Sequence, residues 1–139
     1  MREVADRSPR AAMHVLVVDD DDEMRALLRR MLESDGFLVT ERDRGTHVLE
    51  AVREARVDLI ILDKEMPGLG GLELLPLLRR EFPEVPVVFV TAFGGRQVAA
   101  SALRFGATSY LEKPFRLGQL RDIIDGLIPP PSADDSGSH

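Results

Sequence analysis

Short apolar runs alternate along the chain with stretches in which apolar residues recur every three or four positions. The run HVLVV (14–18) is β-branched and nearly all apolar, the mark of a buried strand. Beyond it, Met24, Leu27, Leu28, Met31 and Leu32 form one helical stripe, and Gly36 ends the helix. FLVTE (37–41) predicts a second strand, polar enough for a sheet edge. Residues 45–56 predict a helix with Val48, Val52 and Ala55 on one side. DLIIL (58–62) is the most apolar run and predicts a central strand. A helix over 72–82 follows, and Pro76 within it is expected to kink it or delay its start. The strand PVVFV (86–90), a helix over 96–106 closing on Gly106 and the strand TSYLE (108–112) come next. The last helix, 117–128, carries Leu117, Leu120, Ile124 and Leu127 along one face.

Strand and helix alternate five times. That order predicts an α/β fold, a doubly wound five-stranded parallel sheet with helices on both faces. Its crossovers should be right-handed. Residues 1–12 and the Pro/Ser/Asp-rich stretch 129–139 are expected to be a disordered arm and a disordered tail or linker stub, flanking one domain at 13–128. A chain of 139 residues, 44% apolar and 30% charged, is enough for one soluble core. No apolar run approaches the ~20 residues of a membrane span, and the first twelve residues lack a signal peptide's apolar stretch. A cytoplasmic protein with no membrane contact is therefore the expectation. The absence of cysteine excludes disulfides and thiolate metal sites. A net charge of −6 argues against direct nucleic-acid contact by this domain.

Charge changes the picture most at residues 19–22, where HVLVV runs into four consecutive aspartates. Two unit charges about 4 Å apart repel by about 4 kcal/mol at an effective dielectric near 20. Either these side chains face water or something positive belongs among them. In an open parallel sheet, ligands bind beyond the carboxyl ends of the strands. Asp19 and Asp20 end the first strand, Asp63 the third, Thr91 and Ala92 the fourth, and Lys113 the fifth. Sixteen of the eighteen basic residues are arginine, so Lys64 and Lys113 stand out as the two compact point charges. Carboxylates without histidine or cysteine suit a hard divalent cation, Mg2+ above all. An aspartate can also be the nucleophile that takes a phosphoryl group, with Mg2+, Lys113 and Thr91 each facing one of its oxygens.

Each residue alone has a plainer explanation. Asp20 with Glu23 fits a capping box, and Asp21 or Asp22 fits a simple helix cap better. Asp63 alone suits a turn, Thr91 a strand-end hydroxyl, and Lys113 and Lys64 solvated surface. The histidines, at 14, 47 and 139, form no metal set, and the phosphate-cradling GxxxxGK[ST] motif is absent.

The runs VLVVDDD (15–21), LIILDKEMPGLGGLELL (59–75), VVFVTA (87–92) and GATSYLEKPF (106–115) together resemble the receiver domain of bacterial two-component response regulators. The resemblance implies a flavodoxin-like sheet of order 2-1-3-4-5 with five helices. By position it implies Asp63 as phosphoacceptor, with Lys113 and Thr91 completing the reactive group. It implies a Mg2+ site made by Asp19, Asp20, Asp63 and the Glu65 backbone carbonyl. Thr91 and Tyr110 resemble the switch pair, and Lys113–Pro114 the family's cis peptide. The implied function is a phosphorelay step: a sensor histidine kinase phosphorylates Asp63, and the face made by 96–106, 108–112 and 117–128 changes shape. That face would then meet a downstream effector protein or domain, or a second copy in a homodimer.

Departures from the family pattern are informative. Gly70 stands where the family often has aspartate, so a looser loop is expected there. Glu65 and Phe93, each the second residue after a key group, are expected to alter the lifetime of the phosphoryl group. Two other function classes stay open at this level. One is an aspartyl-phosphate phosphatase-like enzyme, although Glu65 stands where such enzymes want a second aspartate. The other is an interaction module that works without phosphorylation. The favoured class is a signalling receiver and not an enzyme acting on external substrates.

Overall fold

Five strands run parallel in the order β2-β1-β3-β4-β5: β1 (His14–Val18), β2 (Leu38–Arg42), β3 (Leu59–Asp63), β4 (Val87–Thr91) and β5 (Ser109–Glu112). Five helices connect and follow them: α1 (Asp22–Ser34), α2 (Val48–Glu54), α3 (Gly71–Glu81), α4 (Arg96–Arg104) and α5 (Leu117–Leu127). The computed structural model describes residues 13–129. The expected arm at 1–12 and all but the first residue of the expected tail at 129–139 lie outside the described residues. Expected fold class, strand order and helix count all hold, with β2 at an edge and β3 in the middle.

Alternation along each strand divides the core in two. Leu16, Val18, Ile60, Leu62, Val87 and Phe89 pack against Val48 and Val52 of α2, Leu74, Leu75 and Leu78 of α3, and Ala102 of α4. Val15, Val17, Leu59, Ile61, Val88 and Val90 face Leu28, Met31 and Leu32 of α1 and Leu120 and Ile124 of α5. β3 and β4 are buried at every position, which explains why their sequences show no polar alternation.

Several boundaries move by about a residue, for local reasons. Asp58 was expected to open the third strand, but β3 runs from Leu59 to Asp63, and Asp58 precedes it with its N–H on the His14 carbonyl at 2.8 Å and its carboxylate accepting the His14 N–H at 2.9 Å. The second helix begins as a 3-10 turn at Gly45–His47 and ends at Glu54. Ala55, expected on the buried side, is exposed, because the backbone there is already extended. Leu27 sits at the margin of the α1 stripe and is 37% exposed. Pro76 does not delay α3, which starts at Gly71. It lies on the exposed side, where water can serve the carbonyl that loses its helical donor.

One residue ties the opposite end of the sheet together. Arg79, in the last turn of α3, donates from Nε to the Gly106 carbonyl at 2.7 Å and from its terminal nitrogens to the carbonyls of Val85 at 2.5 Å and Phe82 at 3.2 Å. It also reaches Thr108 Oγ1 at 3.2 Å, whose oxygen accepts the Val87 N–H. Gly106 makes room for this side chain: a Cβ there would lie 2.3 Å from Arg79 Cγ, and its φ of 119° also favours glycine. The planar fork serves three segments at once, which a lysine cannot do. Replacing Arg79 with alanine is expected to cost about 2–3 kcal/mol of stability, with Arg79→Lys recovering less than half. Urea denaturation of both variants checks this, and a loss below about 0.5 kcal/mol for the alanine variant would contradict it.

Candidate functional site

The tips of β1, β3 and β5 meet at one end of the sheet. Asp19 follows β1, Asp63 is the last residue of β3, and Lys113 follows β5. One oxygen from each of Asp19, Asp20 and Asp63 lies within 4.8 Å of the others. Asp19 and Asp63 are 3% and 1% exposed, while Asp20 is exposed. Lys113 Nζ stands 3.0 Å from Asp19 Oδ2 and 3.1 Å from Asp63 Oδ1. The Lys113–Pro114 bond is cis, as the resemblance implied.

The four aspartates separate by task. Asp19 and Asp20 turn to the cluster. Asp21 is the N-cap of α1, and its Oδ1 accepts the N–H groups of Glu23 at 2.9 Å and Met24 at 3.3 Å. Asp22 pairs with Arg25. Because the cap is Asp21, the Asp20–Glu23 capping box does not form. Asp19 is steadied further by the Asp21 N–H, which donates to its Oδ1 at 2.9 Å.

Electrostatics at the centre are unbalanced. Burial, and then the neighbouring Asp19 charge, push the Asp63 carboxyl up to about 7, against the opposing pull of Lys113. Burial works against the Lys113 ammonium, but its hydrogen bond to Asp19 and the charges of Asp19 and Asp63 outweigh that and raise its pKa. Lys113 approaches Asp63 without the alignment of a hydrogen bond. Both Asp63 carboxylate oxygens are therefore buried with no hydrogen-bond partner among the described residues. Buried carboxylate oxygens rarely go unserved. An all-oxygen set around two buried carboxylates that share one ammonium fits a hard divalent cation such as Mg2+.

β4 brings the next group. Thr91 is fully buried, and its hydroxyl donates to Glu65 Oε2 at 2.5 Å. Glu65 Oε1 accepts the Ala92 N–H at 3.1 Å. Glu65, named from the sequence for its backbone carbonyl, thus turns its side chain toward β4. Burial would raise its pKa, but the Thr91 and Ala92 hydrogen bonds and Lys64 outweigh burial and lower it. Lys64 Nζ lies 3.5 Å from Glu65 Oε2, partly screening the charge. Phe93 offers its backbone, with its N–H donating to Thr91 Oγ1 at 3.0 Å. Its ring is 73% exposed.

Tyr110 is half-buried on β5, and its hydroxyl donates to Glu112 Oε2 at 3.2 Å. The same Glu112 oxygen accepts the Gly95 N–H at 2.8 Å, a contact that nothing in the sequence pattern singled out. Gly71 sits under the site. A Cβ there would lie 2.8 Å from the Asp63 carbonyl oxygen and 2.9 Å from Lys64 Cα, so a side chain would push α3 off the tip of β3. Gly70 caps α3 without any side-chain acceptor, which is what the missing aspartate removes. Among the described residues, no helix is long and apolar enough to cross a membrane.

Comparison with known proteins bears on this arrangement. A family model for the response regulator receiver domain matches residues 15–125. The DNA-binding transcriptional regulator NtrC of Escherichia coli (strain K12) is 37% identical over 114 residues, which cover 82% of this chain and 24% of that protein. The transcriptional regulatory protein FixJ of Bradyrhizobium diazoefficiens is 36% identical over 115 residues, covering 83% of this chain and 56% of that protein. The chain thus spans between a quarter and just over half the length of these curated relatives. The solved structure of the Vibrio cholerae chemotaxis protein CheY4 matches with a TM-score of 0.79 at 27% identity, covering 84% of this chain and 99% of that one. Strand order, helix count and matched sequence agree, and this chain belongs to the receiver domain family of two-component response regulators.

Proposed function

We propose that the chain takes a phosphoryl group from a sensor histidine kinase onto the Asp63 carboxylate and passes the change to a downstream effector. The observation that carries this reading is the Asp63 carboxylate, buried without a hydrogen-bond donor among the described residues and ion-paired with Lys113 beside two further acids. Asp19, Asp20, Asp63 and the Glu65 backbone carbonyl would hold Mg2+. That ion supplies neutralisation of the charge developing on phosphoryl oxygens.

The chain's own groups account for the rest. An Asp63 oxygen attacks phosphorus in line. The new O–P bond forms as the P–N bond of a phosphohistidine breaks, and the imidazole leaves with the electron pair and takes up a proton. Lys113, 3.1 Å from Asp63 Oδ1, stands ready to face a second phosphoryl oxygen. The product adds roughly −1.5 to −2 charge. Thr91 then turns its hydroxyl toward the phosphoryl group, and Tyr110 moves into the space. The surface of α4, β5 and α5 is reshaped, and a partner that prefers that shape draws the population over. The partner surface can equally serve a second copy of the chain. The site completes only its own phosphorylation and dephosphorylation, which makes the chain a signalling module rather than an enzyme for external substrates.

Intact mass after incubation with acetyl phosphate tests the assignment. One phosphoryl group is expected on the wild type with Mg2+, and none with chelator or in Asp63→Asn. Equal labelling of Asp63→Asn would remove Asp63 from the role, and sustained turnover of a generic phosphomonoester would favour a phosphatase.

The raised Asp63 pKa makes a second expectation. The folded-state value of about 7 stands above the ordinary 3.8, so the folded protein holds an extra proton between those limits. Stability contributed by this group therefore falls as pH rises through that window and stays low above it. In chelator, Asp63→Asn should be more stable than wild type at pH 8, on the order of a few kcal/mol, with the gain shrinking toward pH 4. Mg2+ should stabilise the wild type more at pH 8 than at pH 5, since protonation removes its ligand. Thermal melts across pH check both, and a variant no more stable than wild type at pH 8 would refute the buried-charge account.

A further inference from the structure

Glu65 has a task beyond its backbone carbonyl. Its two carboxylate oxygens divide between two donors at the tip of β4, with Oε2 taking the Thr91 hydroxyl and Oε1 the Ala92 amide. We propose that the Glu65 carboxylate is the resident anion of a two-donor pocket formed by Thr91 Oγ1–H and Ala92 N–H, and that a phosphoryl group on Asp63 must evict it before Thr91 can respond. This inference rests on the phosphoacceptor reading of Asp63 and deepens it.

Counting protons makes the two occupants exclusive. A threonine hydroxyl has one proton to donate, and a backbone amide has one. Thr91 Oγ1 accepts the Phe93 N–H at 3.0 Å, and its single proton has two acceptors in reach, the Phe93 carbonyl at 3.2 Å and Glu65 Oε2 at 2.5 Å, of which the shorter, charged contact is to Glu65. A phosphoryl oxygen that takes this proton takes it from Glu65. Proximity supports the competition: the Glu65 charge is felt at Asp63, two residues back along the chain. A second anion added to Asp63 would repel Glu65 as well as compete with it.

The pocket also has somewhere for the evicted group to go. Lys64 Nζ is 3.5 Å from Glu65 Oε2, and the Glu65 side chain is 31% exposed. A rotation about its side-chain bonds can trade the two donors for Lys64 and water. Glu65 is thus a positioning residue. It keeps Thr91 in one orientation while Asp63 is free, and it weakens the grip of the pocket on a phosphoryl group by occupying the donors beforehand.

The test uses wild type, Glu65→Gln and Glu65→Ala with Mg2+ and beryllium trifluoride, a mimic of the phosphoryl group on a carboxylate. Before the mimic is added, the Ala92 amide proton in the nuclear magnetic resonance spectrum should move upfield and exchange faster in Glu65→Ala than in wild type. The mimic should bind Glu65→Ala roughly tenfold more tightly than wild type, since lost charged hydrogen bonds no longer have to be broken. Glu65→Gln, which has nearly the same shape but one acceptor oxygen and no charge, should fall between them. An Ala92 amide indifferent to Glu65→Ala would overturn the proposal, as would equal affinities for the mimic. A wild type that does not take the mimic, with Ala92 still responding to Glu65→Ala, would overturn the phosphoacceptor reading and the exchange along with it.

Discussion

Two buried carboxylates share one ammonium. Asp19 and Asp63 are almost wholly removed from water, and Lys113 lies 3.0 and 3.1 Å from them. Removing two like charges from water beside each other is costly, and a single partner cannot fully offset it. The imbalance appears as a carboxyl at Asp63 that holds its proton to about 7 and as two oxygens without hydrogen bonds. Buried groups perturbed by desolvation and a specific charge partner are concentrated at functional sites. A carboxylate cluster left electrostatically incomplete in this way could hold a metal ion.

The surrounding fold makes that arrangement tolerable. Parallel strands end together at one side of the sheet, so residues distant in sequence become neighbours without a long loop reaching over. β3 and β4 are buried along their whole length and sandwiched between two apolar clusters. Such strands cannot shift register to relieve strain at their tips, because every side chain would have to change faces. Gly71 lets α3 begin directly against the Asp63 carbonyl. At the far end, Arg79 anchors the starts of β4 and β5. The rigid sheet thus presents Asp63, Thr91 and Tyr110 at fixed positions, and Glu65 reaches them from the loop after β3.

Glu65 connects the two halves of the site. Its backbone lies in the loop after Asp63, and its side chain reaches across to Thr91 and Ala92 on the next strand. The resting state therefore contains an anion at the place where β4 offers donors. Departures from the family pattern sort by consequence. Gly70 removes a possible cap from α3, a local matter. Glu65 introduces a charge that touches the Thr91 hydroxyl at the tip of β4, beside the buried cluster.

Periodicity was enough for the elements and their parallel α/β layering, though the strand order came from the resemblance, because apolar burial is the strongest term in the fold and leaves a regular trace: runs of two-sided strands, one-sided helices, and glycines at their ends. The acids at the strand tips were legible too, since a parallel sheet gathers its strand ends wherever its helices pack. Boundaries were less so. Asp58 fitted the strand run, but β3 begins one residue later, at Leu59. Ala55 fitted the α2 stripe, but the backbone leaves the helix there. Among four identical aspartates, spacing could not say which would cap α1, because that depends on the angle at which the chain leaves β1. Nor could it find Glu65 on Thr91, 26 residues away, or Arg79 on Gly106, 27 away. Local pattern follows from the energy of each residue in its own segment, whereas pairings between polar groups follow from the packed distances between segments, and those exist once the sheet has formed.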